Sequence, residues 1–245
     1  MKKLIAAFLL SVAPAVGLAS SGVHLDSANV NLRDNASLQR GAEMFVQYCM
    51  GCHSAKYSRY ERVGRDIGMT NEEVMAKLIP GGGKIGDLMT TAMSEADAEK
   101  YFGIVVPDLT LTARLRGEDW VYSYLRSFYV DEKRPLGVNN IVFPDVGMPH
   151  VLADLQGLQR AVFKEEKDAG GNVHKVFEKL EQVSPGKLSA VEYDAAVRDL
   201  TAFLTYMSEP MKLERQSLGI KVILFLLFFT AIAYLLKKEY WKDVH

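Results

Sequence analysis

Only two of the 245 residues are cysteines, and they stand three positions apart in Cys49-Met50-Gly51-Cys52-His53. C-x-x-C-H is the attachment signature of c-type haem. Two thiols at this spacing on a turning backbone can each bond one vinyl group of a single haem, and the adjacent imidazole reaches the iron as its proximal ligand. Three plainer uses of the pair compete. A structural zinc site needs two more ligands near by, and the chain has no second C-x-x-C. A disulfide across two residues closes a very small loop and stabilises little. A redox dithiol sits at the start of a helix after a strand, where the helix dipole lowers the thiol pKa. Here the helical pattern comes before the motif. Haem is therefore the expected cofactor, one per chain, with a periplasmic thiol–disulfide oxidoreductase as the distant alternative.

Both chain ends read as membrane-related. Lys2 and Lys3 precede an apolar run from Leu4 to Val16, and the small residues Gly17, Ala19, Ser20 and Ser21 follow. This is the pattern of a secretory signal peptide, residues 1–19, cleaved after Ala19. Near the other end Val222 to Leu236 is 15 uncharged residues. Extended back to Ser217 the segment 217–236 reaches about 30 Å at ~1.5 Å per residue, enough to cross a bilayer. It is apolar on all faces and carries three Phe, and Lys221 can snorkel to the near interface. Tyr234, Tyr240 and Trp241 supply interfacial aromatics. The expected layout is an exported domain at 20–210, a single span at 217–236 and a cytoplasmic tail at 237–245. In a bacterium this places the chain in the inner membrane with its bulk in the periplasm.

This layout changes the meaning of the charge. The whole chain is nearly neutral, with 29 Lys+Arg against 30 Asp+Glu, which excludes a strongly basic nucleic-acid binder. Residues 20–210 hold 21 Lys+Arg and 27 Asp+Glu, a net of −6. An acidic exported domain suits a basic partner.

A helix is expected from about Ser37 to Tyr48, with Leu38, Ala42, Phe45 and Val46 on one face and Gly41 permitting a close helix–helix approach. Its expected partner runs from Ala190 to Met207. Ser189 and Glu192 form a capping box, Tyr193, Val197, Leu200, Leu204 and Met207 make an apolar stripe, and Pro210 ends it. An early helix before C-x-x-C-H crossing a late helix is the skeleton of c-type cytochrome domains. The fold class expected is mainly α, with long loops, a small hairpin turning at Asp168-Ala169-Gly170-Gly171, and one C-terminal transmembrane helix.

The iron needs a sixth ligand or an open position. Most methionines fill cores, and Met75, on a helix opened by Thr70 and Glu73, is expected to do so. Met89 and Met93 lie 36 and 40 residues past His53. Met148 lies 95 past it, in Phe143-Pro144-Asp145-Val146-Gly147-Met148-Pro149-His150, where two prolines and a glycine give a stiff non-helical backbone. Spacing alone leaves Met93 and Met148 as rivals. Trp120, Tyr124 and Phe128 recur at helical spacing and read as core.

Several stretches in order carry a resemblance. They are Tyr48 to His53, Val106-Pro107-Asp108-Leu109-Thr110, Arg114-Leu115-Arg116-Gly117-Glu118-Asp119-Trp120, Asn139-Asn140 to Met148-Pro149, and Glu192-Tyr193-Asp194 running into the C-terminal span. The chain resembles the cytochrome c1 family, the haem subunits of ubiquinol–cytochrome c reductase (the bc1 complex), from about Leu38 to Trp241 and closest to the proteobacterial branch. The resemblance implies that Cys49 and Cys52 hold the haem, that His53 is the proximal ligand and that Met148 is the sixth. It implies that Pro107, Asp108 and Leu109 shape the pocket, that Arg114 meets a haem propionate and that Trp120 fills an aromatic position usually held by Tyr. The family's Pro-Pro-Asp-Leu-Ser is here Val-Pro-Asp-Leu-Thr, and long acidic insertions are missing.

The implied function is electron transfer within a quinol–cytochrome-c reductase. The implied partners are cytochrome b, a Rieske iron–sulfur protein as donor and a soluble or membrane-bound c-type cytochrome as acceptor, in a dimeric complex. The competing redox reading is a stand-alone membrane-anchored cytochrome c feeding an oxidase or reductase.

Overall fold

Asp34 starts the first helix, because its carboxylate accepts from the Ser37 N–H at 3.1 Å and satisfies an orphan donor. The computed structural model describes residues 23–167 and 173–243. The signal segment and the Asp168–Gly171 turn lie outside the described residues. Helix α1 (Asn35–Met44) begins two residues before the position expected from the apolar pattern and widens into a π-helical turn at Phe45–Cys49. Then follow β1 (Ala55–Arg59), α2 (Tyr60–Asp66), α3 (Asn71–Lys77), β2 (Leu88–Met89), α4 (Glu95–Phe102), α5 (Thr112–Arg116) and α6 (Glu118–Arg126). The second half holds β3 (Phe128–Val130), β4 (Val138–Asn140), α7 (Ala153–Gln156), β5 (Gly157–Lys167), β6 (Val173–Pro185), α8 (Ala190–Ser208) and α9 (Lys212–Tyr240).

The core is the crossing of α1 and α8. A Cβ on Gly41 would collide with the Asp199 carbonyl and lie 2.8 Å from the Phe203 Cβ, so glycine sets the closeness of the crossing. Ser37 and Arg40 on α1 fasten it by donating to the Asp199 carboxylate at 2.5 and 2.6 Å. The expected stripe on α8 is buried throughout, and both bonds of the Ser189–Glu192 capping box form. Phe45 and Phe203 pack at 5.7 Å between centroids. Met75 departs from expectation. Its helix has the Thr70–Glu73 capping box, but the buried positions are Val74 and Leu78, and Met75 points outward at 38% exposure. Adjacent positions on a helix are about 100° apart, so Val74 and Met75 cannot share one narrow buried face.

The strands form antiparallel pairs, two of them short and the β5–β6 pair long, with 11 and 13 residues. β1 pairs with β2 through Ala55↔Met89, and β3 with β4 through Phe128↔Asn140, Tyr129↔Asn139 and Val130↔Val138. β5 and β6 pair from Gly157↔Pro185 to Lys167↔Val173, the expected hairpin. Gln159 on β5 ties it to the domain by donating to the Arg126 and Phe128 carbonyls at 3.1 and 3.3 Å.

Helix α9 carries no buried residue over its 29 positions and contains the expected apolar segment. It is long and apolar enough to cross a membrane. Lys212 at its start meets Glu118 at 3.3 Å, and Arg215 meets Glu209 at 2.5 Å, so its first turn is tied to the domain by exposed and half-buried ion pairs.

Candidate haem site

The π-helical turn delivers Cys49 at its last residue, and the backbone then curls on itself. Cys52 and His53 both donate their N–H to the Cys49 carbonyl, at 3.1 and 2.8 Å. This curl presents two thiols and an imidazole from five consecutive residues. Cys49 is buried, Cys52 half-buried, and both thiols are free. Burial pushes the Cys49 thiol up to about 12, and the neighbouring Cys52 adds to the effect. A redox dithiol needs the opposite shift.

The His53 Nδ1–H donates to the Pro107 carbonyl at 2.8 Å. A carbonyl can only accept, so the bond fixes the tautomer and leaves the Nε2 lone pair for a metal. Burial lowers the His53 pKa, with the bond to Pro107 and the nearby Asp108 opposing, and this favours the neutral ligand form. The Pro107 strap is itself sewn to the motif. Leu109 N–H donates to the Ser54 carbonyl at 2.8 Å, and Lys56 N–H to the Asp108 carboxylate at 2.8 Å. Thr91 donates its hydroxyl to the Gly51 carbonyl at 2.9 Å. Pro107 and Leu109 thus lie against the C-x-x-C-H segment, and Asp108 is the clamp. Met93 lies on this side, lining a cavity of about 320 Å³ with Cys52, Val105 and Pro107.

Met148 belongs to a second cluster, built on α6. Its thioether sulfur accepts from the Tyr124 hydroxyl at 3.3 Å. Trp120 stacks on Tyr124 at 4.9 Å, and Phe128 meets Tyr124 edge-on at 5.2 Å. The loop carrying Met148 is held by two asparagines. The buried Asn140 accepts from the Val142 and Phe143 N–H groups at 2.9 and 3.0 Å and donates to the Tyr124 carbonyl at 2.8 Å. Asn139 accepts from the Asp145 N–H at 2.8 Å. Asp145 takes a left-handed φ of 62°, and Arg134 donates to its carboxylate at 2.8 Å.

Arg114 does not join this cluster. Its side chain is 62% exposed and pairs with Glu209 at 3.3 Å, at the foot of α9. The guanidinium over the aromatic group is that of Arg116, 5.1 Å from the Trp120 ring and 5.8 Å from Phe143. The two arginines sit in one motif two positions apart, and only the packing of α5 separates their surroundings. Tyr124 was also missed, because its helical spacing with Trp120 and Phe128 signals core and says nothing of where the hydroxyl points.

The residues fit a covalently attached haem. Two free thiols beside an imidazole with one committed nitrogen are the donors that a covalently attached c-type haem needs. Among the described residues no group of three or more His, Cys, Asp or Glu gathers as a metal-ion site. The Cytochrome C1 family model matches residues 27–244. The chain belongs to the cytochrome c1 family. A protein called cytochrome c1 from Allochromatium vinosum is 55% identical over all of both chains. The ammonia monooxygenase gamma subunit of Nitrosomonas europaea is 46% identical over all of this chain and 99% of its own. The cytochrome b/c1 of Bradyrhizobium diazoefficiens is 25% identical over 86% of this chain and 34% of its own. Family membership makes the chain a membrane-anchored electron-transfer subunit of the bc1 complex with a covalently bound c-type haem.

Proposed function

We propose that Cys49 and Cys52 would hold the haem by thioether bonds and that His53 and Met148 would be the protein ligands to its iron. When bound, the haem supplies one-electron chemistry. The chain's residues set its working conditions. The bond from His53 Nδ1–H to the Pro107 carbonyl holds the ring and raises its basicity. The thioether of Met148 is a soft ligand that favours the ferrous state and raises the potential. Met148 is preferred over Met93 because its loop is locked by Asn139 and Asn140 and its sulfur is already oriented. Arg116, over Trp120, replaces Arg114 as the cation offered to a propionate.

Residues 20–210 are read as the periplasmic domain, 217–236 as the span and 237–245 as the cytoplasmic tail. The chain then takes electrons from a Rieske protein and passes them to a c-type cytochrome outside the cytoplasm, within a dimeric quinol–cytochrome-c reductase. The relative named cytochrome b/c1 supports a place beside cytochrome b. The observation that carries the reading is the His53–Pro107 bond inside an intact C-x-x-C-H motif.

The relative named as an ammonia monooxygenase subunit supports a second reading, the same haem domain serving a monooxygenase. Purification of the tagged full chain from its membrane separates the two. Cytochrome b and a Rieske subunit should co-purify, with a pyridine haemochrome spectrum of c-type haem. Monooxygenase subunits in their place would establish the second reading, and a chain that always isolates alone would leave the free cytochrome.

A further inference from the structure

The geometry points to Tyr124 as a positioning residue for the haem's sulfur ligand: its hydroxyl bonds the Met148 thioether, aims it and holds the iron toward the ferrous state. This rests on Met148 as the axial ligand. The hydroxyl donates to Sδ at 3.3 Å. A thioether sulfur has two lone pairs, so one can accept this bond while the other faces the iron. Density drawn toward the hydroxyl makes the sulfur a poorer donor. Ferric iron gains more from donation than ferrous iron, so the bond raises the reduction potential.

Donor and acceptor are held in one frame. Trp120 stacks on the Tyr124 ring at an interplanar angle of 8°, and Phe128 closes its other edge. Asn140 donates to the Tyr124 carbonyl and accepts from the Val142 and Phe143 amides, so one buried side chain fixes both the helix that carries the hydroxyl and the loop that carries the sulfur. Within the described residues the Met148 sulfur is the one partner of this hydroxyl. If Met148 left the iron and swung away, the phenol would lose its bond, so the contact also resists ligand exchange.

The test uses the haem-loaded full chain in detergent, with Tyr124→Phe beside Met148→Leu. Phenylalanine keeps the ring stack and removes only the hydroxyl. Tyr124→Phe should keep its covalent haem but move the ferrous/ferric ratio at fixed potential several-fold toward ferric, tenfold being about 59 mV for one electron. Its iron–sulfur charge-transfer band should shift, and added imidazole should displace the sulfur more readily. An unchanged potential and band would overturn the proposal. Met148→Leu should abolish the band. If it does not, the ligand reading fails, and the role of Tyr124 fails with it. If Tyr124→Phe does not accumulate, proton NMR of the ferrous parent decides. The Tyr124 hydroxyl proton should exchange slowly and show a nuclear Overhauser contact with the Met148 methyl, and absence of both overturns the proposal.

Discussion

Asn140 shows how a single side chain can carry a site without touching its chemistry. It is 1% exposed, accepts from two loop amides and the Ser127 hydroxyl, and donates to the Tyr124 carbonyl. Asn140→Ala strands these donors and an acceptor in the interior. The cost expected is about 2–4 kcal/mol, since each unsatisfied buried group costs ~1–3 and some will recover water. The Met148 loop should loosen as well, so the variant should show a weaker iron–sulfur band along with a lower denaturation midpoint. A normal band at reduced stability would mean that Met148 holds its place without the asparagine. The C-x-x-C-H motif was legible from residue order, because covalent attachment and proximal ligation need neighbours in sequence. The places of the Asn140, Arg116 and Tyr124 side chains were not. Each depends on where a side chain points after packing, and Arg114 and Arg116 look alike until one pairs with Glu209 and the other lies over Trp120.

The crossing of α1 and α8 was readable from Gly41, the α8 stripe and the Ser189–Glu192 capping box, all local signals that the tertiary structure keeps. The π-helical turn at Phe45–Cys49 was not, because it is a change of hydrogen-bond register without a distinctive composition. The start of α1 was placed late because apolar periodicity begins at Leu38, whereas Asp34 supplies the cap. Gly41→Ala tests the crossing directly. Alanine gains about 1 kcal/mol of helix propensity over glycine at an exposed site. Here the added methyl meets the Asp199 carbonyl and the Phe203 Cβ. Backbone cannot yield as a side-chain tip does, so overpacking of about 1–3 kcal/mol should exceed the propensity gain. The net loss should appear as a Tm lowered by several degrees, at ~2–4 °C per kcal/mol for a domain of this size. A raised Tm would show that the helices have room to separate.

At the scale of the whole molecule the sequence divides into an acidic domain and an apolar helix, and each division can be tested alone. The net of −6 over residues 20–210 predicts that electron delivery to a basic c-type cytochrome slows as salt rises, because screening weakens the attraction between exposed charges. Stopped-flow rates that ignore ionic strength would remove charge as the steering force. The helix predicts more about stability. No residue of α9 is buried, so the domain's core is complete without it. Its first turn contributes the Lys212–Glu118 and Arg215–Glu209 pairs, which are exposed or half-exposed. Pairs of this kind are worth ~0–1 kcal/mol each. Arg114 also remains beside Glu209 when Arg215 is gone. A chain ending at Pro210 should therefore be exported, take up haem and stay in the soluble fraction, with the potential of the full chain and a Tm within a few degrees of it. Centrifugation, a haemochrome spectrum and a potentiometric titration check the three parts. If the truncated chain lost haem or aggregated, α9 would be part of the fold that closes the haem pocket, and the separation of domain from anchor would be wrong.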